Sequence, residues 1–515
     1  MTSERHSKGR KELNEKRMVA LLSMMAFGLS QKCNTFQHDH GQLLIRSGLS
    51  GNALNLERVL GTSMCEREYQ LIKAKDSEDH HKIVDQWIDK AIEEERLIVL
   101  NIDDYTNIHT KKRPIHDTST SNKMCTLLLK RFEILTVKKD AARPLNNPSG
   151  VLLDELVSNM SSNGQITMLC SHTFTTACQK DAPWITNRFF DPEYEQERLS
   201  THDYGNDQSV KKRRKMNGTM LIDCTELPLH KESDFRRAIE KVMSTKMKQY
   251  SKMFILPQPG DWPAQFYPRK IVYSSTCNES IKSSLVPLLG PLQVSWNGQE
   301  NVFKEYFELL LNVYQSVFGK NKPLAAEKCQ PWKIALILEL CYGGWSLIRE
   351  SILSVFGDRC KDLQFLTLVN FLDNYLPLVL TIYAVVFRSN NFQLYISALQ
   401  RVWLMCLCFG RHHYDKSPLV FLSSILYWEK ISHPFLLTLK SSIVSFTEYP
   451  VEYFHSVIRD QTNPHSSAEE ITKSAVPSSP LSIDKKNTEE PSSPPRTIFF
   501  PAINSKQQNL KQHKC

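Results

Sequence analysis

The chain has 515 residues, a formal net charge of +9 and a pI near 8.8. That length can bury a sizeable core in two or three structural units, and the mild basicity is compatible with an acidic partner such as nucleic acid without demonstrating one. Thirteen cysteines, an odd number with no repeated C-x-x-C pair, follow a polar start without a secretory pattern, which favours reduced thiols inside a cell over a disulfide framework.

Residues 1–95 read as helical. The run RMVALLSMMAFGLS is apolar nearly all round, and a short amphipathic helix is followed by a break at Gly61-Thr62-Ser63 and a long helix. Ser63 is placed to cap that second helix, with Glu66 completing a capping box. Helix, tight turn and helix is the outline of a DNA-reading helix-turn-helix and equally of a plain helical hairpin.

The next stretch changes period. Leu97, Ile98, Val99, Leu100 and Ile102 form a short buried-strand pattern that ends on paired carboxylates, Asp103 and Asp104. On their own the two acids are also ordinary turn formers. From 96 to 300, further short apolar runs alternate with helical patterns such as SDFRRAIEKVM, which indicates a mixed α/β core. Within it, about 191–218, lies a polar segment expected to be a disordered loop. It carries Lys211, Lys212, Arg213, Arg214 and Lys215, a run that suits nuclear import or phosphate contact and also suits a solvated loop.

Residues 301–448 are almost purely helical and apolar, an all-α insertion. Its uncharged stretch Tyr375–Phe387 is about a dozen residues long against the roughly 20 that span a bilayer, so a core helix and no membrane partner are expected. A closing helix over 449–475 contains Glu452, and the Ser/Pro-rich remainder, 476–515, is expected to be disordered.

This order matters for chemistry. A ribonuclease-H-like sheet places one Asp on its first strand, a second acid near the end of a later strand and a third on a helix after the sheet, often beyond a helical insertion. Acids are needed because shared carboxylates hold divalent ions that activate the attacking oxygen of a phosphoryl transfer and stabilise the leaving one. Mg²⁺, a hard cation, selects such oxygen ligands. The segments LNIDDYTNIHTKKRP, ILPQPGDWPAQF, VPLLGPLQVSWNGQENVF, LDNYLPLVLTIYAVVFRSNNFQLY, GRHHYDKSPLVFLSSILYWE and EYPVEYFHSVIRDQT together resemble a group of transposon-derived proteins of sponges, corals and fungi, over roughly residues 15–475. The resemblance implies a transposase-like origin and a ribonuclease-H-like core.

The expected metal ligands are Asp103, with Asp104 as its neighbour in contention, Asp261 and Glu452. Asp261 competes with a turn reading, since Pro-Gly-Asp is turn chemistry, and with the segment Gly290–Asn297, where Gln293 stands in place of an expected His and no carboxylate is present. On the last helix His455 and Arg459 share the face of Glu452 and are assigned to DNA contact together with the basic run 211–215. Glu452 is also where the helix dipole and the preceding Pro450 favour an acid for local reasons alone. Cys406, Cys408, His412 and His413 lack zinc spacing, and Gly410 as a helix C-cap explains that segment more simply. No Walker loop, G-x-S-x-G or H-E-x-x-H occurs.

Two readings follow. One is a DNA-binding, Mg²⁺-dependent strand-cleaving enzyme of transposase type, nuclear, without a small-molecule cofactor and with its oligomeric state open. The other is a catalytically inactive descendant that binds DNA or protein in the nucleus.

Overall fold

The computed structural model describes residues 8–46, 51–108, 121–146, 208–356 and 360–461, apart from positions 275, 328 and 388, together with isolated residues 49, 155, 471, 472 and 475. The expected tail 476–515, the apolar run at 165–174 and the part of the basic segment before residue 208 lie outside them. The described chain is mixed α/β, mostly helical with two small sheets, and divides into two units. The first comprises the residues up to 156 together with 207–293 and 420–486, and the second is built on 294–419.

The first unit opens with helices α1 (Lys8–Leu29), α2 (Thr35–Arg46), α3 (Gly51–Val59) and α4 (Glu66–Glu93). The capping box of α4 is set by Cys65 and Glu68, two residues later than the sequence suggested. Ser63 is not free to cap, because its hydroxyl donates to the carbonyls of Leu54 and Met64, each at 3.0 Å. The C-terminal half of α4 is committed to the core through Val84, Trp87, Ile88 and Ala91. Only its first turns are left for any DNA-reading role.

Strands β1 (Arg96–Ile108), β2 (Ser121–Leu135) and β3 (Thr219–Glu226) form an antiparallel sheet in that order. Helices α6 (Glu232–Met243) and α7 (Met247–Met253) lead from β3 to β4 (Leu256–Gly260). After it, α8 (Trp262–Tyr273) and α9 (Glu279–Ser284) lead to β5 (Leu285–Leu289), which pairs with β4 in parallel. Strand β4 runs alongside β1 without joining its ladder. The cause is written in LPQPG: Gly260 turns its carbonyl to the β5 side, where it accepts from Gly290 N–H, so alternation points Pro257 and Pro259 toward β1. Proline has no N–H to offer there.

Both faces of the antiparallel sheet are covered, which is why β1 reads as a continuous apolar run. Ile98, Leu100 and Ile102 pack with Cys125, Leu127, Met220 and Ile222 under α4, α6, α7 and α8. The opposite face, with Tyr105, Met124, Leu128, Leu221 and Cys224, receives the helix Tyr449–Gln461. In β3 a register shift sets Ile222 and Asp223 against the single residue Leu127, and this bulge lets Leu221 and Cys224 serve the same face although three residues apart.

The basic run is helical, not a disordered loop, over α5 (Gln208–Arg214). Lys212 Nζ pairs with Glu133 at 2.7 Å, Arg213 donates to the carbonyl of Ser441 at 3.3 Å, and the Arg214 guanidinium lies 5.8 Å from the Tyr449 ring centre. Lys212 and Lys215 remain exposed, while Arg213 and Arg214 are half-buried.

The second unit contains most of α10 (Pro291–Glu305), then α11 (Phe307–Phe318), α12 (Pro331–Phe356), α13 (Leu363–Asn370), α14 (Leu376–Phe387) and α15 (Phe392–Cys408). A π-helical turn, Phe371–Tyr375, joins α13 to α14 into one helical run of 25 residues. That run is long and apolar enough to cross a bilayer, which corrects the argument from a dozen residues, yet 53% of its apolar window is buried within the protein. Asp373 in the turn is buried and accepts from Arg349 Nε and Nη2, both at 2.9 Å, and from Trp345 Nε1 at 2.7 Å. At the end of α15, Gly410 has φ +60° and donates to the Leu407 carbonyl while Arg411 donates to that of Cys406, the paired bonds of a Schellman cap. Cys406 is buried and Cys408 exposed, so the two thiols do not converge.

Chain continuity returns to the first unit at residue 420, within α16 (Ser417–Lys430), so α16 beyond Leu419 and α17 (Pro434–Ser441) belong with the sheets and not with the helical insertion. Helix α18 (Tyr449–Gln461) also belongs to the first unit.

Candidate metal centre

Strand alternation sets the first corner. With Ile98, Leu100 and Ile102 on one face of β1, Asn101, Asp103 and Tyr105 occupy the other, toward α18. Helix α18 is drawn onto that face by Val451, Phe454 and Ile458, all about 1% exposed or less, and each such side chain contributes roughly 1.5–3 kcal/mol on burial. Their helical spacing carries Glu452 and His455 to the strand. One ligand atom each from Asp103, Glu452 and His455 lies within 4.8 Å of the other two, a group able to hold a metal ion.

His455 is fixed from below. Its Nε2 lies 2.9 Å from the hydroxyl of Thr126, the residue paired with Asp103 across the β1–β2 ladder, and its Nδ1 lies 3.6 Å from Asp103 Oδ2. The Asp103 side chain keeps 17% of its surface in solvent and His455 only 4%. The opening is thus on the carboxylate side. DNA contact by His455, expected from its helical position, is excluded by this burial. Arg459, one turn further on, is exposed, and its Nε reaches back to the His455 carbonyl at 3.3 Å.

Asp261 follows β4 directly. It is at once the N-cap of α8, accepting from Ala264 N–H at 3.0 Å, and a neighbour of the cluster whose charge is felt by Asp103, Glu448 and Glu452. The turn-type and site readings of Asp261 therefore coexist, although it stands outside the group of three closest ligand atoms. Asp104 is exposed and by alternation lies on the other face of β1 from Asp103, so it stands outside the group of three closest ligand atoms, although its charge is felt by Asp103, Asp261 and Glu452.

Two further side chains belong to the site. Gln293, in the first turn of α10, donates its backbone N–H to Glu448 Oε1 at 2.5 Å and its side-chain amide to Glu452 Oε1 at 2.8 Å. Glu448 was missed in the sequence. Its signal, an acid four residues before Glu452, is faint because nothing local shows that the segment before the helix is buried. Nearby, the buried Asn101 amide donates to the carbonyls of Pro259 and Thr447, both at 3.2 Å, so one side chain ties β1 to β4 and to the entrance of α18.

Burial and mutual repulsion govern the protonation of this cluster. Removal from water, then the charges of Glu452, Asp261 and Asp104, hold the Asp103 carboxyl well above the usual range. Burial likewise lifts Asp261 to about 6, Glu452 to about 7 and Glu448 to about 8, with Arg459 opposing the rise at Glu452. Burial, and secondarily Arg459, pushes His455 down to about 3. Burial thus disfavours the charged form of both partners in the His455–Asp103 contact. A set of carboxyls that resist ionisation, set beside a neutral imidazole, lacks positive charge at its centre. That is the electrostatic signature of a cation site, and the residues fit one.

A surface hollow of about 860 Å³ lies between α3 and α4, lined by Asn55, Arg58, Glu66 and Arg67 among others, and includes none of these acids. Comparisons with protein families, with characterised proteins and with solved structures find no match.

Proposed function

We propose that this chain is a divalent-metal-dependent phosphoryl-transfer protein acting on DNA, of transposase type with a ribonuclease-H-like core. The observation that carries the reading is the convergence of Asp103 from β1, Asp261 from the end of β4 and Glu452 with His455 from α18, elements that lie far apart in the chain. It is supported by the sequence of elements: three antiparallel strands, then a parallel pair of strands of which β4 runs alongside β1, a helical block and a late acid-bearing helix.

Asp103, Glu452 and His455 would hold the cation, with Asp261 beside them. A divalent ion there supplies Lewis acidity toward a phosphodiester. Three carboxylates suit Mg²⁺, and the imidazole extends the range to Mn²⁺. Thr126 orients His455, Gln293 orients Glu452, and the exposed Arg459 offers a guanidinium for backbone phosphate. Nuclear import would rest on the exposed Lys212 and Lys215, since Arg213 and Arg214 are half-buried.

The test is nicking of supercoiled DNA by the full chain with Mg²⁺ or Mn²⁺. Asp103→Asn and Glu452→Gln are each expected to lower the rate by at least ~100-fold, in the range found for loss of charge-stabilising groups. Salt-sensitive DNA binding with no nicking in either metal would leave the inactive, DNA-binding descendant as the reading.

A further inference from the structure

We propose that Glu448 is a positioning residue for the metal centre: it replaces the side-chain cap that α10 lacks and, through Gln293, sets the orientation of Glu452. The inference rests on the metal-binding reading above.

The start of α10 poses a specific problem. The first N–H groups of a helix need acceptors from outside it. The usual source is a Ser, Asp or Asn immediately before the helix. Here that residue is Gly290, which has no side chain. A Cβ on Gly290 would fall 2.2 Å from the Glu448 carboxyl carbon and 2.3 Å from both of its oxygens. The carboxylate thus fills the volume a local cap would take, and Oε1 accepts the Gln293 N–H at 2.5 Å. Strand β4 shows the ordinary alternative: it ends on Gly260, and the next residue, Asp261, caps α8 from within its own segment.

Supplying the cap from 155 residues away is costly. Glu448 is 3% exposed, and its second oxygen, Oε2, is buried without a hydrogen-bond partner. A Ser at position 290 would cap the helix without that desolvation penalty. What the local cap would not do is tie the first turn of α10 to the segment that carries Glu452. With Glu448 in place, the Gln293 amide is delivered to Glu452 Oε1 at 2.8 Å and holds that carboxylate in one orientation. Glu448 acts on the cation only through Gln293 and Glu452.

The experiment is Mn²⁺ titration of the full-length protein, read by the free-ion EPR signal, with metal-free thermal unfolding measured in parallel. Gln293→Ala and Glu448→Ala are each expected to weaken Mn²⁺ binding by about 10-fold or more, the scale of lost outer-shell support. The double variant should bind no more weakly than the weaker single, because both act along one path. Adding Gly290→Ser to Glu448→Ala should restore thermal stability through a local cap while leaving Mn²⁺ binding weakened. Should Glu448→Ala fail to fold, Gln293→Ala and Glu448→Gln decide. The first should still weaken the ion, and the second, which keeps an acceptor for Gln293 N–H, should stay within about 3-fold of wild type. Losses that add, or Gln293→Ala binding Mn²⁺ as tightly as wild type, would overturn the role. A wild-type chain that binds no Mn²⁺ would remove the proposed function itself.

Discussion

At Thr126 a single hydroxyl lies against one ring nitrogen of His455 and leaves the other facing Asp103. If His455 Nε2–H donates to Thr126, the Nδ1 lone pair is directed at Asp103, the arrangement a cation requires. Thr126→Val keeps the shape and removes the acceptor, which frees the other tautomer. The expected outcome is Mn²⁺ binding weakened by about 10- to 100-fold, with Thr126→Ser close to wild type, as titration would show. None of this was legible from Thr126 in the sequence, where it is one β-branched residue in an apolar strand. Asp103 and Glu452 were reached from the order of elements, an apolar strand pattern carrying acids and a late acid-bearing helix, since each acid also has an ordinary local explanation. Glu448 was not, because its meaning depends on Gly290, whose missing side chain has significance only after the two are brought together.

Among the elements, the helical run from α13 to α14 shows how tertiary pairing conceals a charge. In sequence Asp373 interrupts an apolar stretch, whereas in the structure a π-turn places it against Arg349 and Trp345 and the helix continues. Removing one partner strands the other in a low-dielectric interior. Arg349→Met is expected to cost roughly 3–5 kcal/mol, read by denaturant unfolding and by faster amide exchange in α12 and α14. Arg349→Met with Asp373→Leu should recover much of that loss, since apolar replacement of a buried pair is often tolerated. Element existence was readable from periodicity through most of the described chain: the β1 run, the alternating α/β segment and the apolar helices were all expected. Boundaries and the fate of charge were less so. The α4 cap moved to Cys65 because Ser63 found acceptors behind it, and the basic run became helical with Lys212 drawn to Glu133 on β2.

For the whole molecule, the acid cluster couples stability to pH. Glu448, Glu452 and Asp261 have folded pKa values of about 8, 7 and 6, above those of an unfolded chain, so the folded state binds more protons. Their contribution is fully present below the unfolded value near pH 4.5 and is lost as pH rises through 6 to 8. His455, lowered to about 3, works in the opposite sense: its contribution is complete above about pH 6.5 and fades as pH falls toward 3. Within the cluster only the carboxyl effect remains above pH 6.5, while the buried Lys130, lowered to about 7, opposes part of it from elsewhere in the same unit. The metal-free melting temperature should therefore fall between pH 6.5 and 8.5 by ~2 °C or more, and more steeply once Lys130 is replaced by Met. Mn²⁺ should raise it most at the alkaline end, where fewer protons must be displaced. Scanning calorimetry across that range, with and without Mn²⁺, would show either this crossing or a flat response that sinks the buried-carboxyl account.

The amide of Asn101 reaches Pro259 and Thr447, which lie 158 and 346 residues further along the chain. At a typical synthesis rate of ~5–20 residues per second, the second partner leaves the ribosome about 20–70 s after the first strand. During that interval β1 exists, but Glu452 and His455 have yet to be made. A nascent chain thus cannot bring Asp103, Glu452 and His455 together until α18 has been made.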